Sequence, residues 1–370
     1  MNEQWSVETD SGWKLTEDAA ARIRKPILKA IEDGLIPGAS VAISFRGSRI
    51  CYAAGLAVSA PNDCPAGLDT LYDCASLTKV AVTLPLILQL CEQNRLGLDA
   101  EASAYLPELR GGGAARITIR ELLAHTSGLP ATHDFYSVPW SLERILAFIG
   151  NEAPIERSVK TVVYSDLGFI VLGAVASRLY GLPLDEAARR YLFEPLGMTK
   201  SGFCPDRSNL DAIAATEWSD ELGGFWHGIV HDENARALGG VSGHAGLFST
   251  AEDLLKYARL WLNPGGVSTS PLSKTMAREA TKLQTFGAGS SRRGLGWVLK
   301  GDEADVSGAL MTPEAFGHTG FTGTSLYVDP GYQLAAVLLT NRVHYGRHLN
   351  VTGLRHSFHE AVVRALVGQD

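Results

Sequence analysis

The apolar positions near the amino terminus follow a helical period, and the pattern then changes to that of strands. A helix is predicted over residues 17–34, with its apolar side formed by Ala20, Ile23, Ile27, Ile31 and Leu35. Pro37-Gly38 ends this helix, and residues 39–45 and 50–54 are predicted as a strand pair. The carboxyl end mirrors this order, with strands predicted over 294–299, 324–328 and 333–340 and a final helix over 352–367.

The middle of the chain is predicted to be an inserted, mostly helical unit, because the sheet is then built from both ends of the chain. Helices are predicted over 76–92, 118–124, 141–150, 166–180, 184–192 and 251–262. Long loops are predicted over 201–247 and 263–293. The predicted division is a sheet domain of residues 1–75 plus 290–370 and a helical domain of residues 76–289. We expect the active site where the two meet.

Composition indicates a soluble globular protein and excludes two classes of partner. Of the 370 residues, 45% are apolar and 20% are charged, which allows a sizeable core. A net charge of −7 without a basic run argues against nucleic acid. The longest apolar stretch, residues 80–90, is shorter than the roughly 18 residues that span a bilayer. We therefore predict neither a nucleic-acid partner nor a membrane span.

Residues 1–5 show neither a basic leader nor an apolar stretch, so no secretion signal is predicted. The five cysteines are an odd number without tight spacing, which indicates neither a disulfide framework nor a zinc ribbon. We expect a cytoplasmic protein with reduced thiols. A mature secreted chain whose leader has been removed is the alternative.

The chemistry of the chain is indicated first by Ser76-Leu77-Thr78-Lys79. On a helix, a lysine three residues after a serine lies over the same turn and can reach the hydroxyl. The surrounding residues are apolar on nearly every side, so this helix is predicted to be buried and a charged, unpaired Lys79 would be costly there. Ser76 at its amino-terminal end would place free backbone N–H groups beside the hydroxyl. Pro85 should kink the helix or end its first part near Leu84.

Three further segments occur in a characteristic order along the chain. They are Tyr164-Ser165-Asp166, the segment Leu122 to Leu129 that contains His125, and Gly317-His318-Thr319-Gly320-Phe321. Together with Ser76-x-x-Lys79 they resemble the class C β-lactamase superfamily of serine hydrolases, which includes penicillin-binding DD-peptidases, β-lactamases and carboxylesterases. The segment 230–250 resembles the branch named penicillin-binding protein or β-lactamase-related serine hydrolase. The resemblance extends from about residue 30 to residue 365.

The resemblance implies a β-lactamase-like α+β (α/β) fold, in which an antiparallel sheet is flanked by terminal helices and carries an inserted helical domain. It also implies a role for each motif. Ser76 would attack the acyl carbonyl, with Lys79 and Tyr164 sharing its proton. The backbone N–H groups of Ser76 and Phe321 would form the oxyanion hole, the latter on an edge strand that begins near Gly320. His318 would line the opposite wall, and Thr319 would contact a polar group of the substrate.

Two residues depart from the pattern of the family. Asp166 stands where many relatives carry Asn, and an ionised carboxylate cannot donate a hydrogen bond to a substrate amide. It could instead pair with Lys79, keep that lysine charged and leave the role of base to Tyr164. His318 replaces the lysine of the Lys-Thr-Gly form, and we expect its charge to vary with pH. Both changes weaken the case for an efficient β-lactamase.

Other polar residues receive structural interpretations. His125 is expected to satisfy loop backbone. A metal site is not predicted near His227, His231 and His244 because a His-Glu-x-x-His pattern is absent, and a hydrogen-bond network is favoured instead. Ser242 lacks the second glycine of a nucleophile elbow and is a poor rival to Ser76. Three aromatic residues of the loop 201–247 are expected either to line an acyl subsite or to pack within the loop. They are Trp218, Phe225 and Trp226.

The predicted function is that of a serine hydrolase, without metal or cofactor, that acts on small esters or amides through an acyl-enzyme on Ser76. The alternative is a DD-peptidase, penicillin-binding protein or weak class C β-lactamase that takes a β-lactam-like substrate. A non-catalytic binding protein on the same fold is the second alternative. Substrate specificity is expected to lie in loops 130–140, 201–247 and 280–293.

Overall fold

The structure is a computed structural model that describes residues 2–9, 13–156, 161–265, 271–287 and 289–369. Its strands are β1 (Glu3–Glu8), β2 (Gly38–Phe45), β3 (Ser48–Val58), β4 (Cys64–Pro65), β5 (Tyr72–Asp73), β6 (Gly202–Phe203), β7 (Trp218–Ser219), β8 (Gly224–Phe225), β9 (Leu247–Ser249), β10 (Val298–Leu299), β11 (Phe316–Thr319), β12 (Ser325–Asp329) and β13 (Leu334–Thr340). Its α-helices are α1 (Glu17–Glu32), α2 (Leu84–Glu92), α3 (Ile119–Leu123), α4 (Leu142–Asn151), α5 (Asp166–Tyr180), α6 (Leu184–Ala188), α7 (Glu194–Leu196), α8 (Glu233–Ala237), α9 (Ala251–Leu262), α10 (Lys274–Thr281) and α11 (Thr352–Leu366).

The main sheet is antiparallel and joins the two ends of the chain, as predicted. Its strands follow the order β1-β3-β2-β13-β12-β11-β10, and β4 pairs with β3. The junction between the ends is the β2–β13 pair, in which Ala42 lies opposite Val337. The α+β fold class is therefore confirmed.

Both faces of the central strands are buried, which explains why β13 is apolar at every position except its last. Ala336 and Leu338 face a core that includes Ile23 of α1 and Phe358 of α11. The alternate residues Val337 and Leu339 face the larger core of the inserted helices. The sheet therefore separates the terminal helices from the middle of the chain.

Helix α1 shows how local sequence sets the end of an element. The Thr16 side chain accepts a hydrogen bond from the Ala19 N–H and caps the first turn, in which Glu17 and Asp18 add favourable negative charge. Its buried residues repeat at three- and four-residue spacing, as an amphipathic helix requires. The predicted helix over 17–34 is confirmed to within two residues.

The predicted helix over 76–92 is not a regular α-helix throughout, because Pro85 lacks the N–H that would bond the carbonyl four residues earlier. The chain forms a π-helical turn over Lys79–Thr83, in which the Leu84 N–H bonds the Lys79 carbonyl five residues back. Helix α2 then begins at Leu84. The helix therefore does not end near Leu84, and its π-helical turn lies close to the predicted nucleophile.

Several other elements differ from the prediction. Strand β1 and helix α10 were not predicted, and the expected strand over 294–299 is reduced to β10. Residues 266–270 and 288 of the predicted loop 263–293 lie outside the described residues. Helix α9, assigned on sequence to the inserted unit, packs on β2 and β13 of the sheet. The division into two domains stays a prediction.

In the described ranges, no helix is by itself long and apolar enough to cross a bilayer. Asp166–Tyr180 and Leu184–Leu196 pass that test only as a pair, and they are bent by 72° relative to each other.

Candidate active site

Ser76 is presented by a tight turn between β5 and the π-helical turn. The turn requires Ala75 to adopt a left-handed backbone conformation, with φ of 48°, which costs a non-glycine residue about 1–2 kcal/mol. Two hydrogen bonds hold it: the Ala75 N–H donates to Asp73 Oδ1 at 2.8 Å, and the Thr78 hydroxyl donates to the Ala75 carbonyl at 2.7 Å. Ser76 is partly exposed at the point where the chain enters the buried helix.

The Lys79 side chain is fully buried and has three close partners. Its Nζ lies 3.0 Å from Ser76 Oγ, 2.7 Å from Asp166 Oδ1 and 3.3 Å from the His244 carbonyl oxygen. An ammonium group has three N–H donors, and the Tyr164 hydroxyl is a further hydrogen-bond partner for them.

The charge of Lys79 is decided by Asp166. Burial alone would lower the pKa of Lys79, but attraction to Asp166 and Tyr164 and hydrogen bonds to both outweigh it, so that the pKa is raised above its ordinary value. Lys79 is therefore an ammonium at neutral pH and has no lone pair to accept the Ser76 proton.

Tyr164 lies on the extended segment that leads into α5. Its ring centroid is 4.8 Å from Lys79 Nζ and 4.6 Å from the ring of His125. His125 Nδ1 accepts the Ser165 N–H at 3.0 Å, which confirms that this histidine satisfies loop backbone. Burial and the charge of Lys79 hold the pKa of His125 well below its usual range. His125 is thus a neutral ring that fixes the segment bearing Tyr164.

His318 faces Tyr164 from β11, with ring centroids 5.8 Å apart. Its Nδ1 lies 2.8 Å from the Thr319 carbonyl, which can only accept, so Nδ1 carries the proton and Nε2 has the lone pair. Burial, together with the charges of Lys79 and Arg293, lowers the pKa of His318 to about 3. The expectation that its charge varies with pH is therefore wrong: the ring stays neutral throughout the physiological range.

The strand expected to begin near Gly320 instead ends at Thr319, and Phe321 lies in the turn that follows. β11 is not the edge strand either, because β10 pairs with its first two residues. That pairing leaves His318 and Thr319 unpaired on the side towards β10. Within the described part of the chain, no hydrogen bond uses the backbone N–H of Ser76 or of Phe321. Both groups are free to bind an oxyanion.

Two arginines hold the turn that contains Phe321. Arg355 Nη2 donates to the Gly320 and Thr324 carbonyls, at 2.6 and 3.0 Å. Arg342 Nε donates to the Phe321 carbonyl at 2.8 Å, and its guanidinium lies 4.7 Å from the centroid of the Phe321 ring. The turn is thus anchored through its carbonyls while the Phe321 side chain is 48% exposed.

These residues surround a cavity of about 570 Å³. Of the predicted site residues, the cavity wall contains Ser76, Tyr164, Asp166, His318, Thr319, Gly320 and Phe321, and Lys79 lies directly behind Ser76 and Asp166. All eight predicted site residues are therefore brought together. Their catalytic roles stay predictions.

The cavity wall also contains four arginines that no motif indicated: Arg293, Arg342, Arg347 and Arg355. Arg347 is neutralised by Glu217 and by Glu233, the latter at 3.0 Å. Arg293 Nε lies 3.2 Å from Asp302, without the alignment of a hydrogen bond. No spacing rule could have found these residues, because separate segments bring them to one wall.

The loops contribute unequally to this wall. Loop 201–247 supplies His231 and its neighbours, and Arg293 ends loop 280–293, whereas loop 130–140 supplies none of the described lining residues. The aromatic residues of loop 201–247 pack within the loop region: Phe225 stacks on His344 at 4.1 Å, and Arg236 lies 3.9 Å from the Trp226 ring. The structure therefore shows packing for Phe225 and Trp226, and neither ring lines the Ser76 cavity.

The histidine-rich segment forms the hydrogen-bond network that was expected. His231 Nε2 lies 3.0 Å from Glu217, and His227 Nε2 lies 2.7 Å from the Ile213 carbonyl. One group in the described residues has the spacing of metal ligands, namely Asp166, Asp232 and His244, whose ligand atoms lie within 4.8 Å of one another. Asp166 is already paired with the Lys79 ammonium, which opposes a cation at that position.

Comparison with known proteins gives one family. A family profile described as Beta-lactamase matches residues 23–356. An N-acetylmuramyl-L-alanine amidase of Bacillus subtilis (strain 168) is 32% identical over 308 residues, which are 74% of this chain and 68% of the relative. A putative D-alanyl-D-alanine carboxypeptidase of Salmonella gallinarum (strain 287/91 / NCTC 13346) is 31% identical over 315 residues, which are 75% of this chain and 70% of the relative.

A solved structure shows the same architecture over nearly the whole chain. EstCE1, described as a hydrolase with promiscuous acyltransferase activity, superposes with a TM-score of 0.74 and 23% identity. The superposition covers 94% of this chain and 98% of that protein. At this level of identity the likeness is one of fold.

Proposed function

This chain belongs to the Beta-lactamase family and is a serine hydrolase of that family, and we propose that it cleaves small esters or amides through an acyl-enzyme on Ser76. The observation that carries the proposal is the contact of Ser76 Oγ with the Lys79 ammonium at 3.0 Å, in a cavity whose other walls contain Tyr164 and His318. A serine held against a buried cation, beside a phenol, is arranged for acyl transfer.

The base in this proposal is Tyr164. Lys79 is charged, so it stabilises negative charge and does not remove a proton. Tyr164, whose ring centroid lies 4.8 Å from Lys79 Nζ, takes the Ser76 proton in this proposal as Oγ attacks the carbonyl. Tyr164 then returns this proton to the leaving group, and in the second step it takes a proton from the water that hydrolyses the acyl-enzyme.

The oxyanion that forms during both steps would be bound by the backbone N–H groups of Ser76 and Phe321. The clamp of Arg342 and Arg355 on the Phe321 turn keeps one of these donors in place before substrate arrives. Donors that are already oriented require no reorganisation during the reaction, which is why such groups contribute strongly to rate.

The proposal is tested with Ser76→Ala and p-nitrophenyl acetate. We expect kcat/KM to fall at least about 1,000-fold, because the attacking oxygen is removed. The matched control is Ser208→Ala, an exposed serine outside the cavity, which should retain full activity. The native enzyme should release a burst of nitrophenol equal to the enzyme concentration when deacylation is the slower step. Full activity of Ser76→Ala with an unchanged circular dichroism spectrum would refute the proposal.

A D-alanyl carboxypeptidase is the second candidate, and two arginines of the cavity wall, Arg293 and Arg342, favour it. Arg293 and Arg342 are not fully neutralised by carboxylates in the described residues, so they can attract a substrate carboxylate such as that of a D-alanyl-D-alanine peptide. A relative at 31% identity is named as a putative enzyme of this type. The neutral His318 offers no charge for this purpose.

Two measurements separate the candidates. Release of D-alanine from a D-alanyl-D-alanine peptide, with a fluorescent penicillin adduct on Ser76 by intact mass, would establish the carboxypeptidase. Ester turnover without either result would establish the esterase, and β-lactam turnover would indicate a weak β-lactamase. Protein that is folded but hydrolyses none of the three substrate classes would be a binding protein on this fold.

A further inference from the structure

A second serine, Ser242, is connected through His244 to Asp232, a residue that lines the Ser76 cavity. Ser242 Oγ lies 2.8 Å from His244 Nδ1, and His244 Nε2 lies 2.8 Å from Asp232 Oδ1. All three groups are positioned by one stretch of chain, which also supplies the His244 carbonyl that contacts Lys79. The mechanism proposed for Ser76 uses neither Ser242 nor the imidazole of His244.

The direction of this hydrogen-bond chain follows from Asp232. Burial disfavours the Asp232 charge, but attraction and hydrogen bonding to His244, with further help from the Ala235 N–H and Lys79, lower the pKa of the carboxyl. An ionised Asp232 only accepts, so His244 Nε2 carries a proton. With Nε2 directed at Asp232, Nδ1 is the ring nitrogen that faces the Ser242 hydroxyl.

Ser242 and its neighbour Gly243 line a separate cavity of about 460 Å³. This cavity shares none of its lining residues with the Ser76 cavity. Its wall is mainly aliphatic and is formed by the segment 106–108 together with α4, α5, α6 and the loop before Gly243, with Leu106, Leu142, Leu146, Ile170, Leu184 and Val241. The ion pair of Glu108 and Arg178, at 2.8 Å, provides a polar edge. The space therefore fits a small apolar acyl group.

Donors for an oxyanion are also available beside Ser242. The backbone N–H groups of Ser242 and Gly243 form no hydrogen bond with any other described residue. Gly243 has no room for a side chain, because a Cβ there would lie 2.1 Å from the Phe169 carbonyl and 2.9 Å from Gly173.

We propose that Ser242 is a second acyl-accepting nucleophile, with His244 as its base and Asp232 as the residue that orients His244. Ser242 Oγ bonds to the carbonyl carbon of a small apolar ester as the bond to the alcohol oxygen breaks. The hydroxyl proton passes to His244 Nδ1 and leaves with the alcohol. Water releases the acyl group by the reverse proton path.

The test is covalent labelling by an alkyl fluorophosphonate, in which the serine oxygen bonds to phosphorus and fluoride leaves. Intact mass and peptide mapping are applied to Ser76→Ala and to Ser76→Ala/Ser242→Ala. We expect one adduct in the first variant, mapped to Ser242, and none in the second. Ser76→Ala/Ser177→Ala is the matched control, because Ser177 lines the same cavity without a histidine partner, and it should keep the adduct.

Asp232→Asn in the Ser76→Ala background gives a second measurement that does not remove the serine. The adduct should form about 100-fold more slowly, because the carboxylate no longer fixes the tautomer of His244. An unlabelled Ser76→Ala variant with native circular dichroism would overturn the proposal, and so would an adduct mapped to another residue. All these variants lack the Ser76 hydroxyl, so their labelling does not depend on whether Ser76 is reactive. The reactivity of Ser76 is measured separately, by labelling of the native protein.

Discussion

Lys79 Nζ lies closer to Asp166 Oδ1, at 2.7 Å, than to Ser76 Oγ, at 3.0 Å. The lysine is therefore held first by its counter-ion and only second by the nucleophile. The side chain of Asp166 is 23% exposed whereas that of Lys79 is fully buried, so the pair lies at the boundary between cavity and core. The Asp166 carboxylate therefore keeps Lys79 charged. Its removal should change both the free energy of unfolding and the catalytic rate.

Asp166→Asn should destabilise the protein by about 1–3 kcal/mol at pH 7, because it leaves a buried ammonium without its partner. The raised pKa of Lys79 contributes stability that is fully present below the unfolded value of about 10.4 and is lost only as the pH rises through the folded value. The loss should therefore be equal at pH 7 and pH 9 in urea unfolding. Asp18→Asn, which breaks an exposed pair with Arg22, is the control and should cost less than about 0.5 kcal/mol. Equal stability of Asp166→Asn and the native protein would contradict the assignment.

Tyr164→Phe should lower kcat/KM for p-nitrophenyl acetate by about 100- to 10,000-fold, because it removes only the phenolic oxygen that transfers the proton. Its melting temperature should stay close to that of the native protein, since the ring packing with His125 is kept. Tyr180→Phe is the matched variant: its hydroxyl contacts the Leu86 carbonyl at 3.3 Å, away from the cavity, and activity should be unchanged. If the kcat/KM of Tyr164→Phe stays within about threefold of the native value, the activation barrier has changed by less than about 1 kcal/mol. That result would exclude the phenol as the base.

His359 should make the protein less stable in mild acid. Burial lowers its pKa to about 3, whereas an unfolded histidine has a pKa of about 6.5, so below that pH protons bind preferentially to the unfolded chain. The free energy of unfolding should decrease by about 2 kcal/mol between pH 6.5 and pH 5 from this residue. The free energies of unfolding at pH 7.5 and pH 5.0, measured with urea, should differ by about 2 kcal/mol less in His359→Gln than in the native protein. A pH dependence identical to that of the native protein would disprove this account.

Arg355→Lys should lower kcat about 10- to 100-fold with little change in KM, because one planar nitrogen, Nη2, directs its two hydrogens at the Gly320 and Thr324 carbonyls, and a rotating ammonium does not fix those directions. The oxyanion turn would then be less well oriented in the transition state, while ground-state binding would remain. Arg364→Lys on the same helix is the control, since Arg364 is exposed and, among the described residues, its one ion pair is with Glu360 at 3.5 Å. If KM rises while kcat is unchanged, Arg355 binds substrate and does not position the turn.

Much of the fold could be predicted because its signals are local. The helical period of α1 and the apolar runs of β2, β3 and β13 depend on nearest neighbours in sequence, and their elements were found within a few residues. β1 was missed because it is a polar edge strand that pairs only with β3. α10 was missed because glycine and proline around it indicated a loop.

The site shows the same limit in a different form. Ser76 and Lys79 are linked by helical spacing, and Tyr164 and His318 could be added only through their family resemblance, which the family match confirms. The clamp of Arg342 and Arg355 has no such signal, because its partners are backbone carbonyls that any residue could supply. The neutrality of His318 also depended on burial, which a motif does not reveal.

The pairing of β2 with β13 determines when this protein can fold during its synthesis. Ala42 cannot pair until Val337 has been translated. At about 5–20 residues per second, the synthesis of the chain between these two residues takes roughly 15 to 60 s. During that interval the β2–β3 hairpin presents two apolar faces and an unpaired edge to the cytosol or to a chaperone. His318 and the Phe321 turn arrive in the same late segment. A ribosome-bound chain therefore carries Ser76 long before it has the strands that complete the cavity, and it should not react with an acyl donor until translation is nearly over.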